Sequence, residues 1–189
     1  ISYSDGEIQA LSFSDSGSVT GPLVFAGYGL SVPETDSFSY DSYAALDVAD
    51  KVVLVLRYFP ENTEGESRAT LSRYSSLRYK ALAARERGAI GLIVVTGPRS
   101  PNAGKLVPMT FDTALASSRI VAVSITGQVG DSLLDRSGRT LEDVQTLLDT
   151  GNPHVSGFAI PNTEVTLTTK INREQRTGHN IVGYLRSTE

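Results

Sequence analysis

The sequence contains no cysteine. Disulfides and thiolate metal sites are thereby excluded, while the compartment stays open, because a bacterial secreted protein can do without cysteines. Only two histidines are present, His154 and His179. Neither stands in an H-E-x-x-H, H-x-x-E-H or H-x-D pattern, so both read as surface or hydrogen-bonded structural residues rather than metal ligands. No apolar run approaches the ~18 residues of a membrane-spanning helix, and no signal peptide is visible. Basic tracts stop at two residues and the formal net charge is −4, which argues against a nucleic-acid partner. The motifs of common chemistries are missing as well: no G-x-S-x-G, no G-x-G-x-x-G, no P-loop, and no histidine near a serine in a triad order.

What is there is ordinary globular material. The 189 residues, 40% hydrophobic and 20% charged, suit one domain with short arms and a real core. The first residue is Ile1 rather than methionine, which leads us to expect a processed or excised piece of a longer chain.

The best-organised stretch is Ser75 to Val95. Leu77, Ala81 and Ala84 fall on one helical face with Tyr79 and Leu82 beside it, while Arg78, Lys80, Arg85 and Glu86 cover the rest as a solvated surface. Ser75 or Ser76 caps the start, and Gly88 stands where a helix takes its left-handed stop. Ile90 to Val95 and, upstream, Lys51 to Arg57 are apolar runs of the kind buried on both faces of a parallel sheet. Strand, helix and strand predict a βαβ unit, and Ile120 to Ile125 adds a third core strand.

Around this centre, Ile8 to Phe13 reads as an edge strand. Val19 to Phe25 reads as a strand whose first half Pro22 demotes to an edge or bulge. Ala26 to Gly29 is a turn, and residues 31–45 an ordered loop. Gly127 to Asp135 and Thr140 to Thr150 are predicted helices. In the second, Thr140 and Asp143 resemble a capping box, and Leu141, Val144, Leu147 and Leu148 form the stripe. Thr163 to Ile171 alternates like a half-exposed antiparallel strand, and Ile181 to Leu185 is a last strand.

Two long loops, 58–74 and 96–119, follow the carboxyl ends of parallel strands. They should emerge on one edge of the sheet, where open α/β folds usually bind ligands. These loops carry Arg57, Tyr58, Arg73, Tyr74, Arg99 and Met109, of types that anchor interfaces, so a surface for a partner or peptide is expected there. The plainer reading ties the same residues down by local hydrogen bonds. Acid pairs at Asp36/Asp41 and Asp47/Asp50 lack EF-hand spacing, and turn formation explains them more simply than calcium. Ser76 and Lys80 stand at i, i+4 on the central helix, and the lysine is expected on its solvated face. No catalytic constellation emerges, and an autonomous hydrolase is disfavoured.

A resemblance supplies what the chemistry does not. VFAGYG (24–29), DSYAALDVADKVVLVLR (41–57) and RYSSLRYKALAARERGAIGLIVVTGP (73–98) resemble a protease-associated domain. So do IVAVSI (120–125), LEDVQTLLD (141–149), FAIP (158–161) and GHNIVGYLRS (178–187), in the same order. More narrowly, they resemble the insert of bacterial co-catalytic zinc aminopeptidases, in the clan of glutamate carboxypeptidase and the transferrin receptor. Asp50 departs from the pattern, standing where such domains often have a glycine. The resemblance implies an α/β fold: a single domain over residues 19–187 with a mixed, partly parallel, barrel-like sheet and two or three flanking helices. Residues 1–18 would be an N-terminal β arm, and 188–189 a tail leading to a peptidase domain outside the chain. It further implies a non-catalytic, extracytoplasmic (secreted or periplasmic) module that shapes substrate access. Its partners would be its own peptidase domain and a peptide or protein substrate. Two zinc ions would belong to the parent peptidase, with no cofactor, metal ligand or catalytic residue in this chain. The alternative is a free-standing interaction module with no peptidase attached.

Overall fold

Three short runs too apolar to leave either face wet make the middle of the molecule. They are β5 (Val52–Leu56), β6 (Gly91–Val95) and β7 (Val121–Ile125), and every residue in them is buried. The computed structural model describes residues 2–3, 6–34, 38–109, 118–150, 157–172 and 183. With β1 (Ile8–Ala10), β2 (Gly17–Phe25) and β8 (Phe158–Thr169) these runs build a six-stranded sheet in the order β1-β7-β6-β5-β2-β8. The inner four strands are parallel, while β1 and β8 run antiparallel to β7 and β2. Pro22 has the expected effect. The β2–β8 register shifts between Pro22 and Val24, and only beyond it, at Leu23–Phe25, does β2 also pair with β5. A residue without an N–H cannot sit in a ladder with partners on both sides.

The period-2 alternation of the strands divides the core in two. On one face Leu54, Leu56, Ile93, Val123 and Ile125 pack with α3 (Gly127–Leu134), α4 (Leu141–Leu148) and the inward residues of β8, Ile160 and Leu167. On the other, Val53, Val55, Leu92, Val94 and Ala122 meet Ala81 and Ala84 of α2 (Leu77–Glu86). The small side chains let that helix lie close on the sheet. β8 curls over the first face until it approaches β7 and the 3-10 turn Asp135–Ser137, giving the sheet its barrel-like bend.

Helix ends follow the local sequence. Ser76 Oγ accepts from Tyr79 N at 3.2 Å, and α2 stops at Gly88, whose φ of +85° suits glycine. Thr140 and Asp143 form the reciprocal box: Asp143 N donates to Thr140 Oγ1 at 3.1 Å and Thr140 N to the Asp143 carboxylate at 3.2 Å. Asp50 adopts a φ of +57°, the left-handed backbone that a glycine would take with less strain, and its N–H donates to Gly88 O at 2.9 Å.

The structure corrects several expectations. The second half of the 58–74 loop is a helix, α1 (Gly65–Tyr74), held by the single buried Leu71 and therefore without an apolar period to read. Residues 31–45 contain a two-strand hairpin, β3 (Ser31–Val32) with β4 (Tyr40–Asp41). With α1 added, four helices flank the sheet among the described residues. Leu147 is 50% exposed, and Gln145 takes the inward place on α4 instead. Lys80 is fully buried, not solvated. His154, His179 and Asp36 lie outside the described residues. Of the strand expected at 181–185 only Gly183 is described, and it is exposed and outside regular structure.

Candidate functional site

The carboxyl ends of β2, β5 and β6 release three segments side by side: the turn Ala26–Gly29, residues 57–64, and residues 96–109. Beneath them lies a closed polar network whose hub is Asp149, at the C-terminal end of α4 and 0% exposed. Its Oδ1 accepts from Tyr28 Oη at 2.6 Å and from Glu61 N at 3.1 Å, and its Oδ2 from Arg99 Nε at 3.2 Å. One helical turn earlier, the buried Gln145 amide donates to Tyr28 Oη at 3.2 Å and Ser100 Oγ at 2.8 Å, while its carbonyl oxygen accepts from Arg99 N at 3.0 Å. Two side chains of one helix thus hold all three segments. A buried carboxylate survives only with such partners. Removal from water, reinforced by the bond to Asp149, pushes the Tyr28 phenol well above its usual range.

Gly97 makes the approach possible. A Cβ there would stand 2.2 Å from Gln145 Oε1 and 2.7 Å from Cδ, and Gln145 cannot retreat without dropping its three bonds.

From the other side of the sheet comes Lys80. Its Nζ donates to Leu56 O at 2.7 Å and Tyr58 O at 2.5 Å, and sits 5.6 Å from the centre of the Tyr28 ring. The Lys80 amino group grips the segment at its exit from β5, where Tyr58 has a left-handed φ of +69°, and Asp149 grips it again at Glu61. Burial, with Arg57 as a smaller cause, lowers the Lys80 pKa well below that of an exposed lysine. Charged or neutral, the amine carries at least the two N–H groups that both carbonyls need.

The six residues singled out from sequence separate into groups. The Arg57 guanidinium lies 4.7 Å from the centre of the Tyr58 ring, and Tyr58 Oη accepts from Asn102 Nδ2 at 3.3 Å. This brings the two loops together at the surface. Arg99 belongs to the clamp, bonded to Asp149 and, at 3.5 Å, to Glu142. Tyr74 packs edge-on to Tyr79 at 5.0 Å, and Tyr79 Oη donates to Ser31 O at 2.7 Å, which makes a separate cluster. Arg73 is exposed in the last turn of α1, and Met109 is 53% exposed.

Sequence reasoning missed Tyr28, Lys80, Gln145 and Asp149. The signal was spacing. Lys80 stands three residues after Leu77 and four before Ala84, and Gln145 and Asp149 stand four and eight after Leu141, so each shares a face with core residues. What the arrangement can do chemically is limited, since Lys80 and Asp149 are sealed and engaged with their own chain. It positions loops. Among the described residues no group of three or more histidine, aspartate or glutamate side chains is placed to hold a metal ion.

The model of one family, the PA domain, matches residues 19–133. No curated protein matches. Among solved structures, an aminopeptidase from Aneurinibacillus sp. strain AM-1 is 25% identical with a TM-score of 0.44, over 70% of this chain and 26% of that one. BSAP, a zinc aminopeptidase from Bacillus subtilis, is 21% identical with a TM-score of 0.39, over 85% of this chain and 29% of its own. The chain thus spans less than a third of the length of either structure.

Proposed function

Because this chain belongs to the PA domain family, we propose that it works as a non-catalytic module of an exported zinc-dependent aminopeptidase, where it forms part of the wall that governs substrate access. In this reading the domain runs over residues 19–187, and the paired zinc ions sit in the peptidase domain of the parent chain. The ordered motifs from VFAGYG to GHNIVGYLRS support the peptidase association. The observation that carries the proposal is the double grip on the segment after β5. Lys80 and Asp149 place buried ionisable side chains at its two ends, a costly arrangement that makes sense where a surface must keep its shape against a passing chain. Arg57, Tyr58 and Asn102 are presented on that surface. Peptide contact is proposed there, with Arg99 fixing the neighbouring loop from below.

The test uses the full-length parent enzyme carrying Asp149→Asn, which keeps the shape and removes the charge. Turnover is measured on a series from single-residue chromogenic amides to octapeptides. The expected result is a change in KM of about threefold or more on the longer peptides, with kcat on the smallest substrate unchanged. Kinetics unaltered across all lengths would sink the access reading. A native chain with no peptidase domain would leave the free-standing interaction module in its place.

A further inference from the structure

One helix is fastened far less firmly than its surroundings. α1 has ten residues, opens on an N-cap without a side-chain hydrogen bond, and buries Leu71 alone. A helix that short does not persist in water by propensity and needs packing to hold it. Its hydrogen bonds add no tie to the rest of the molecule. Among the described residues, those of 65–74 reach no further than Glu61 on one side and Ser75 on the other. Two ring contacts help, and both are made to residues at the joints: the Arg68 guanidinium lies 5.1 Å from the centre of the Phe59 ring, and Tyr74 packs against Tyr79. Beyond those joints the chain is fixed. Asp149 holds the Glu61 amide upstream. Downstream, Ser76 caps α2, whose Ala81 and Ala84 are packed on the sheet. Gly65, at a φ of +57°, gives the upstream joint a residue that turns freely.

The bed beneath is tied independently. α1 packs against β3, and Leu71 shares a core cluster with Leu30, Val32 and Tyr40. Neighbouring strand residues point to opposite faces. Ser31 turns toward α2, where its Oγ accepts from Arg87 Nη2 at 2.7 Å and its carbonyl from Tyr79 Oη, so Val32 turns to the Leu71 side. Leu30 and Ser42 are bonded twice: Leu30 N donates to Ser42 Oγ at 3.0 Å, and Ser42 N to Leu30 O at 2.8 Å. None of these bonds involves α1. Parts of a fold open separately where one has few buried contacts and its neighbours have many. We propose that α1 is a lid. Residues 62–75 swing open on their two fixed ends while the sheet, α2 and the β3–β4 hairpin stay folded, and the movement uncovers the socket that Leu71 fills on the Val32 side of the hairpin. The lid begins just past the surface assigned to peptide contact, but its opening does not rest on that assignment.

The chain has no cysteine, so Val32→Cys supplies the sole thiol, and cysteine packs as a small hydrophobe in a valine-sized place. The whole chain carrying it is treated with excess iodoacetamide at urea concentrations well below the unfolding midpoint. Labelling is expected at least about a hundredfold faster than global unfolding allows, with a rate that rises far less steeply with urea, because opening the lid exposes little surface. Ala69 is exposed within α1. Ala69→Gly removes only a methyl group and should speed labelling about fivefold, the effect of one glycine inside a helix. Hydrogen exchange of the wild-type chain reads the extent of the movement without the thiol, and it decides alone if Val32→Cys fails to fold. The amides of residues 71–74 should exchange about a hundredfold or more faster than those of residues 81–84, while the Glu61 amide stays slow. Labelling that tracks global unfolding, indifference to Ala69→Gly, or α1 and α2 amides that exchange together would each overturn the lid.

Discussion

At the scale of single residues, the molecule turns on Lys80. Replacing it by methionine keeps the aliphatic stem and removes the side-chain donor to Leu56 O and Tyr58 O. Losing this donor from one buried and one half-buried carbonyl should cost about 2–4 kcal/mol. The cost should also depend on pH. The folded pKa of Lys80 is depressed by burial, so between that value and the ~10.4 of an unfolded lysine the unfolded chain binds more protons. Wild-type stability therefore rises with pH across this window relative to Lys80→Met. Urea unfolding of both proteins from about pH 6 to about pH 10 checks it. The difference should widen toward the alkaline end, and a flat difference would mean that the buried amine stays charged throughout. Comparing the pair removes the contribution of Tyr28, Tyr40 and Tyr43, whose raised pKa values act in the opposite sense above the usual tyrosine range. Lysine is seldom fully buried, and that general rule outweighed its position on the Leu77–Ala84 face. The spacing was legible, but the two carbonyls that reward burial come from β5 and the turn after it, which no local pattern of α2 can announce.

At the scale of elements, the two loops behave as parts of α4. Gly97→Ala tests this without touching a charged group. The added methyl must displace Gln145, which frees Ser100, Tyr28 and the Arg99 amide together, and a loss of about 2–3 kcal/mol is expected. Amide exchange gives a sharper reading. The Glu61 and Arg99 N–H groups lie outside regular structure yet donate to buried acceptors, so both should exchange as slowly as core amides in the wild type. In Gly97→Ala the Arg99 amide should speed up by about a hundredfold or more, the equivalent of ~2.7 kcal/mol. Unchanged protection would show that the clamp is not what orders the loop. The elements themselves were unevenly legible. α2, α4 and the three central strands announce themselves by cap, stop and period. α1 does not, because a helix that buries one leucine leaves no stripe, and the β3–β4 hairpin is too short to alternate.

At the scale of the whole molecule, the sheet was legible as a βαβ centre with added strands, since parallel neighbours follow from buried apolar runs joined by a helix. The pairing of its outer ribbon was not. The long β2–β8 ribbon pairs Gly17 with Thr169 and Phe25 with Phe158, and contacts so distant in sequence leave no local trace. They are essential nonetheless. A fragment limited to residues 19–133, the stretch matched by the family model, would lose Asp149, Gln145, Ile160 and Leu167 from the core and clamp. It should unfold without a cooperative transition in urea, whereas the 189-residue chain should show one, and a sharp transition in the fragment would refute this account of the core. The same ribbon has a mechanical consequence. At its open end Ser16 and Ile171 are joined by hydrogen bonds of 2.8 and 3.3 Å, so tension applied through these neighbouring points would peel the two strands apart rung by rung rather than shear them in parallel. The first part to yield would be the Ser/Thr-lined outer ribbon. The central strands would stay folded while it opened, and a pull applied at Ser16 and Ile171 would be absorbed before it reached the clamp.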